Sequence, residues 1–109
     1  MSRSKGDAAE TIACDFLREG GFDIIDRNVH SRFGEIDIIA LKEGVLHFVE
    51  VKSADSYEKA VANITPEKLR RILKTAHFYM QRHQLDLEHM FDAVIVTGEN
   101  PSIIENITL

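Results

Sequence analysis

Apolar residues recur along this chain with two different spacings, and the change of spacing divides it into helices and strands. Between Ser4 and Glu19 they recur three and four positions apart, which predicts a helix that ends at Gly20 and Gly21. The apolar face of this helix is made by Ala9, Ile12, Ala13, Phe16 and Leu17. Glu10 lies at the edge of that face, so we expect its carboxylate at a boundary of the core.

Three strand-like runs follow the helix. They cover Phe22 to Asn28, Glu35 to Leu41 and Val45 to Lys52. The second and third runs are dense in Ile, Leu and Val, which is typical of strands that are covered on both faces. The break between these two runs is short enough for a hairpin.

The second half of the chain predicts a long helix and one or two more strands. Pro66 after Thr65 predicts a helix start with Thr65 as its cap, and the apolar spacing continues to about Gln84. A further strand is predicted from Phe91 to Thr97 and an edge strand from Ile103 to Leu109. The order α-β-β-β-α-β(-β) predicts one α/β domain over all 109 residues, with helices packed on a mixed sheet.

Acidic residues interrupt two of the apolar strands. Asp37 is flanked by isoleucines, and Glu50 lies between Val49 and Val51. Burying an unpaired carboxylate is costly, so these two groups are not ordinary surface charges. Either they are structural acids that lysines and backbone amides satisfy, or they belong to a functional site.

The strand register decides whether these acids meet. If the hairpin loop has two residues, Glu43-Gly44, then Asp37 faces Glu50 and Glu35 faces Lys52. Carboxylates directly opposite each other repel, so a cation, a shared proton or Lys52 must offset their charge. A three-residue loop would instead send Asp37 and Glu50 to opposite faces of the sheet.

A hard cation such as Mg²⁺ or Mn²⁺ is the natural candidate for the partner of this pair. Such an ion prefers oxygen ligands, takes one or two protein carboxylates and fills its other positions with water and substrate phosphate. Lys52 would lie beside it and position the attacking water or stabilise charge on the phosphate. Glu35 would orient Lys52, add a further ligand or form a salt bridge to Lys52. A lysine that is only solvated is the remaining alternative.

Composition and charge limit the classes of function. Hydrophobic residues make up 44% of the chain and charged residues 28%, as in ordinary globular domains. The net charge of −5 argues against strong non-specific binding of nucleic acid. However, basic residues cluster in the long predicted helix, and this cluster is either a wet helix face or a DNA contact. Its members are Lys68, Arg70, Arg71 and Lys74.

The chain has no feature of a secreted or membrane protein. It lacks an apolar stretch of about 18 residues and a signal-peptide pattern, so we expect a soluble, cytoplasmic protein with no membrane partner. Its single cysteine, Cys14, excludes an internal disulfide and a multi-cysteine zinc site.

Two motifs resemble known families. The pattern Asp37…Glu50-Val51-Lys52 resembles the D…ExK signature of the PD-(D/E)XK nuclease superfamily. More closely, Gly34-Glu35-Ile36-Asp37 with Phe48-Val49-Glu50-Val51-Lys52 resembles the bacterial YraN-like family. The likeness extends over nearly the whole chain and also includes Gly6, Glu10, Asn28, Lys68-Leu69-Arg70-Arg71, Ala76, Tyr79 and Phe91-Asp92-Ala93-Val94.

This resemblance implies a restriction-endonuclease-like three-layer fold, similar to that of archaeal Holliday-junction resolvases. It implies that Glu10 supplies a first acid from the N-terminal helix and joins Asp37 and Glu50 around Mg²⁺ or Mn²⁺. The implied activity is endonuclease action on DNA, with branched or structured DNA as a candidate substrate. A homodimer would suit a symmetric junction. The alternative is a nuclease-fold module that binds nucleic acid or a protein partner without cutting.

The chain departs from the family pattern at two places. Ser53-Ala54 stand where the family usually carries a second basic residue, and Met90 stands where arginine is common. Both departures reduce the positive charge near the site and weaken the expected affinity for phosphate.

Overall fold

A computed structural model describes residues 3–108 of the chain and the side chains of residues 7–108. The elements of this part are, in chain order, α1 (Arg3–Glu19), β1 (Asp23–Ser31), β2 (Gly34–Lys42), β3 (Val45–Ala54), α2 (Tyr57–Ala62), α3 (Pro66–Arg82), β4 (Glu88–Thr97) and β5 (Asn100–Ile104). The predicted first helix, the first four strands and the long helix are therefore confirmed, with boundaries shifted by up to three residues.

Two predictions about the elements were incomplete or wrong. The short helix α2 was not predicted, and it begins where the Ser56 hydroxyl accepts a hydrogen bond from Lys59 N–H. The last strand was predicted from Ile103 to Leu109, but β5 ends at Ile104, because it must follow β4 closely to form a hairpin in which Thr97 pairs with Asn100. Leu109 lies outside the described residues.

The five strands form one mixed sheet in the order β1-β2-β3-β4-β5. β3 and β4 are parallel, and the other three neighbouring pairs are antiparallel. One face packs on α1 through a cluster that includes Ala13, Leu17 and Val49. The opposite face packs on α3, for example through Phe48 against Tyr79, and on α2. The predicted α/β class, with helices packed on a mixed central sheet, is confirmed.

The β2–β3 hairpin has the two-residue loop on which the site prediction depends. Lys42 pairs with Val45, and both loop residues have positive φ angles, 52° for Glu43 and 79° for Gly44. Such angles characterise the tight turn whose twist matches that of the flanking strands.

The β2–β3 ladder does not run to the end of both strands. Its last recorded pair is Ile38 with Val49, whereas β3 stays paired with β4 as far as Ala54. On the side that faces β2, the backbone groups of β3 beyond Val49 are therefore available to side chains from β2. This is the place where the candidate site forms.

No helix in the part of the chain that the structure describes is long and apolar enough to cross a membrane.

The cap of α3 gives a direct test of how this helix is fixed. The Thr65 hydroxyl accepts a hydrogen bond from Lys68 N–H, as the sequence predicted. We expect Thr65→Ala to lower the free energy of unfolding by about 1 kcal/mol, because a helix-end N–H loses its acceptor. Thr65→Ser keeps the hydroxyl and should lose much less. Urea denaturation measures both variants, and equal losses would show that the hydroxyl contributes nothing.

Candidate functional site

Asp37 joins β2 to β3 just beyond their last backbone pair. Its Oδ2 accepts a hydrogen bond from Val51 N–H at 2.8 Å. The carboxylate thus takes the position in which a backbone carbonyl of β2 would continue the ladder. Because this bond fixes the side chain, Asp37 lies against the neighbouring acid of β3 and does not turn outward.

That neighbouring acid is Glu50, which is buried with 9% of its surface exposed. Its carboxyl lies beside that of Asp37 and is one of the causes that raise the pKa of Asp37. On its other side, Glu50 Oε2 lies 3.3 Å from Lys52 Nζ. The two acids and the lysine that the sequence placed on one face therefore form one connected cluster.

Glu50 strongly affects the ionisation of Asp37. Burial, followed by the hydrogen bond and the negative charge of Glu50, raises the pKa of Asp37 to about 8. Val51 N–H and the Lys52 ammonium act in the opposite direction but do not cancel these effects. Near neutral pH, Asp37 therefore keeps its proton, and a proton is one of the ways of offsetting the charge that the sequence left open.

Glu10 approaches the pair from α1. Ala9 and Ala13 bury the adjacent face of this helix in the core and so direct Glu10 towards the sheet. Burial, and next the charge of Asp37, raises the pKa of Glu10, whereas Arg27 and Asn28 lower it. Glu10 Oε1 is buried without a hydrogen-bond partner among the described residues, and Arg27 Nη2 lies 3.7 Å from it.

Glu35 does not take the place that the register predicted for it. Its carboxylate lies 3.0 Å from His30 Nδ1, and both side chains are largely exposed. Lys52 is paired with Glu50 instead. The expected contact between Glu35 and Lys52 is wrong. Backbone pairing of β2 with β3 ends at Ile38, whereas Glu35 remains paired with His30 of β1 and its carboxylate turns to that residue.

These residues fit a cation in part. Asp37 and Glu50 supply two adjacent carboxyls, and a cation would replace the proton of Asp37. Glu10 Oε1 is a buried acceptor without a hydrogen-bond donor among the described residues. Among the described residues, no group of three His, Cys, Asp or Glu side chains is arranged to hold a metal ion. As the site stands, Asp37 and Glu50 would be the ligands, and the role of Glu10 as a third ligand stays a prediction.

The basic residues of α3 differ in their contacts. Lys68 Nζ donates to the carbonyl of Asn63 at 3.0 Å, so it closes the end of α2. Arg71 forms an exposed ion pair with Glu67. Arg70 and Lys74 are exposed. Contact of these four residues with nucleic acid stays a prediction.

The sequence reasoning missed three groups near these elements. Arg27, which lies beside Glu10, was signalled only as a basic residue within an otherwise apolar and acidic strand. Arg32 and Phe33 form the β1–β2 turn beside α3, and no periodicity marks a turn. A buried pair, His47 with Asp92, was also missed.

This buried pair is separate from the acidic cluster. His47 Nδ1 lies 2.5 Å from Asp92 Oδ2, and Asp92 Oδ1 accepts a hydrogen bond from Asn106 N–H. The pair fixes the segment after β5 against the sheet. It explains why a carboxylate that is fully buried is tolerated in β4.

Comparison with known proteins identifies the family. The model of the family described as "Uncharacterised protein family UPF0102" matches residues 9–96. The chain belongs to the UPF0102 family. A UPF0102 protein of Sulfurimonas denitrificans is 57% identical over the full length of both chains. One from Wolinella succinogenes is 52% identical over the full length of both, and one from Helicobacter hepaticus is 50% identical over 99% of this chain and 97% of its own.

Family membership confirms the resemblance to YraN-like proteins that the motifs indicated. It also confirms that the likeness covers the whole chain and not the acidic motif alone. The link to the PD-(D/E)XK nuclease superfamily stays a prediction.

The raised pKa of Asp37 predicts how the stability of this UPF0102 protein depends on pH. The folded pKa of about 8 lies above the ordinary value of 3.8, so the unfolded chain releases this proton first as the pH rises. Between pH 3.8 and about pH 8, Asp37 therefore lowers the free energy of unfolding progressively as the pH rises. The loss is up to about 1.4 kcal/mol for each pH unit. Asp37→Asn retains an acceptor for Val51 N–H and should remove this slope.

Urea denaturation in a chelator, at several pH values between about 5 and about 9, measures this slope in both proteins. The asparagine variant should be more stable than the parent at the upper end of this range. Asp23→Asn, at an exposed position of β1, is the matched control and should keep the parental slope. An asparagine variant that is less stable than the parent at high pH would show that the two acids are structural.

Proposed function

We propose that this protein is a divalent-metal-dependent phosphodiesterase that cuts DNA internally. The observation that carries the proposal is the contact of Asp37 with Glu50, beside Lys52, at the point where two buried strands separate. A purely structural cluster would gain little from a buried acid whose pKa is raised by a second acid beside it. The resemblance of these residues to the D…ExK signature supports the same activity.

Each residue of the cluster has a distinct part in this proposal. Asp37 and Glu50 would hold Mg²⁺ or Mn²⁺, which would lower the pKa of a bound water and neutralise charge on a phosphate oxygen. Val51 N–H keeps the Asp37 carboxylate in place, so the pair is ordered before substrate arrives. Glu10 adds a negative charge and a buried acceptor from the side of α1.

Lys52 is the group that we expect to meet the substrate. Its side chain is 23% exposed, and its ammonium lies on the buried carboxylate of Glu50. From this position it would orient the attacking water or stabilise the negative charge that develops on the phosphate. The ion pair with Glu50 would hold the Lys52 ammonium at the site until a substrate phosphate replaces Glu50 as its partner.

DNA as the substrate is supported by the basic residues of α3. The net charge of −5 predicts weak binding that decreases steeply with salt concentration. Arg70, Arg71 and Lys74 concentrate positive charge on one helix, against the sign of the whole chain. A homodimer, for which light scattering is the direct test, would present this surface twice to a two-fold symmetric substrate.

A second candidate is a module of the same fold that binds nucleic acid or a protein without cutting it. Two observations favour it: Lys52 already compensates Glu50, and the described residues contain no group of three acids arranged for a metal ion. In such a module, Lys52 would take the place of a cation at Glu50. The two candidates differ in their response to divalent ions and in cleavage.

The metal response is expected to depend on pH. Millimolar Mg²⁺ or Mn²⁺ should raise the melting temperature more at about pH 8.5 than at about pH 6, because binding must displace the proton of Asp37. Differential scanning fluorimetry measures the shift, and Asp37→Asn should reduce it at both pH values. An equal shift in that variant would place the ion elsewhere, and the absence of any shift in the parent would favour the non-cutting module.

Cleavage is tested on a panel of supercoiled, linear, flapped and four-way DNA. We expect metal-dependent cleavage of at least one of these by the parent, and Lys52→Met should abolish it while keeping the metal-induced melting shift. Lys59→Met, at an exposed position of α2, is the matched control and should cut normally. If Lys52 were only structural, its loss would cost about 1–3 kcal/mol, and activity would decrease only with the unfolded fraction. A parent that cuts none of these substrates would contradict the proposal.

A further inference from the structure

A second concave surface lies where the β1–β2 turn meets α3. Arg32 and Phe33 occupy the turn, and the facing side chains of α3 complete a pocket of about 460 Å³. We call it the turn–helix pocket, and the lining residues that matter are Arg32, Phe33, Leu73, Lys74, His77 and Phe78. It is separate from the acidic cluster.

The turn is held firmly on the helix. Ser31 Oγ lies 2.9 Å from Thr75 Oγ1, and the same Ser31 oxygen accepts a hydrogen bond from Phe33 N–H. Gly34 allows the close approach, because a Cβ at this position would lie 3.2 Å from the Cβ of Arg71. The pocket is therefore formed by two elements of fixed relative position.

Its inner surface is apolar although it faces solvent. Leu73 and Phe78 are 40% and 41% exposed, and they lie on the same side of α3 as the rim of the pocket. Phe33 adds an aromatic ring from the turn. Exposed apolar side chains grouped around a concavity mark a binding surface more often than single exposed ones do.

Basic side chains lie at the rim of this apolar surface and in the pocket next to it. The Arg32 guanidinium carbon lies 5.0 Å from the centre of the Phe33 ring, and Lys74 Nζ lies 5.8 Å from it. A neighbouring pocket of about 340 Å³ shares these three residues and adds Arg70 and Arg71. The one acidic side chain of that second lining, Glu67, is already paired with Arg71.

We propose that the turn–helix pocket receives an unpaired base of a nucleic acid strand, whose phosphates lie along Arg32, Arg70, Arg71 and Lys74. An apolar and aromatic cavity suits the face of a base, and a rim of cations suits the phosphates beside it. A base within an intact duplex is stacked between its neighbours and does not reach such a cavity. The pocket therefore selects strands with unpaired nucleotides.

This inference rests on the proposed function and specifies its substrate class. Phe33 precedes Asp37 by four positions, so the two residues are separated by at most roughly 13 Å of extended chain. A strand anchored by one base in the pocket would bring a phosphodiester a few nucleotides away to the acidic cluster. Cutting is then expected close to the junction between paired and unpaired DNA.

Binding is measured apart from cleavage, with the full chain in a chelator. Fluorescence anisotropy compares a labelled single strand, a plain duplex and the same duplex with a short unpaired flap. We expect the flapped duplex and the single strand to bind about tenfold more tightly than the plain duplex. A ribonucleotide single strand, added as a fourth probe, distinguishes RNA from DNA as the source of the unpaired base.

The double variant Leu73→Ala, Phe78→Ala should lose this preference and leave the affinity for plain duplex unchanged. Its matched control is Tyr57→Ala, Leu87→Ala, which removes two side chains that are 43% and 38% exposed outside the pocket. The control should keep the preference. Arg32→Gln with Lys74→Gln should weaken binding of all probes and reduce its dependence on salt.

The outcomes separate this inference from the proposed function. Equal binding of plain and flapped duplex by the parent, or a preference that survives in the double variant, overturns the pocket assignment. Binding of an acidic peptide but of none of the nucleic acids overturns it as well. Cleavage without a preference for unpaired DNA leaves the hydrolase standing and removes only the pocket. A preference without cleavage supports the pocket and overturns the hydrolase.

Discussion

One hydrogen bond, from Val51 N–H to the Asp37 carboxylate, determines the arrangement of the acidic cluster. It is formed where backbone pairing of β2 and β3 stops, and it replaces a main-chain acceptor by an ionisable one. Since the side chain cannot turn away, Asp37 and Glu50 must tolerate each other in a buried place. Helices cover both faces of the sheet, and burial is the largest cause of the raised pKa of Asp37.

The sequence predicted the fold and the acid pair well because both depend on spacing. A two-residue loop at Glu43 and Gly44 fixes which side chains of the hairpin share a face, so Asp37 and Glu50 were placed together correctly. Spacing did not predict the contacts of residues outside the β2–β3 pairing. Glu35 meets His30 because the two residues are paired across β1 and β2, a register that the sequence reasoning did not assign. The helix from Tyr57 to Ala62 has six residues, too few for an apolar periodicity to show.

Tertiary contacts explain what else was not predictable. Nothing in the sequence order shows that Arg32 and Phe33 meet Lys74, since they belong to elements about forty positions apart. The same holds for His47 and Asp92, which are brought together by the parallel pairing of β3 and β4. Glu10 was identified through family likeness, and the structure adds Arg27 as the cation near it.

The parallel pairing of β3 and β4 also determines how α3 is connected to the sheet. Antiparallel neighbours need only a tight turn, but the parallel pair β3 and β4 needs a crossover, and α2 and α3 provide it. The basic helix α3 thus lies in the chain between β3, which carries Glu50 and Lys52, and its neighbour β4. The backbone therefore leads from β3 through α2 and α3 to β4, so that the basic helix is covalently joined to both strands of the parallel pair.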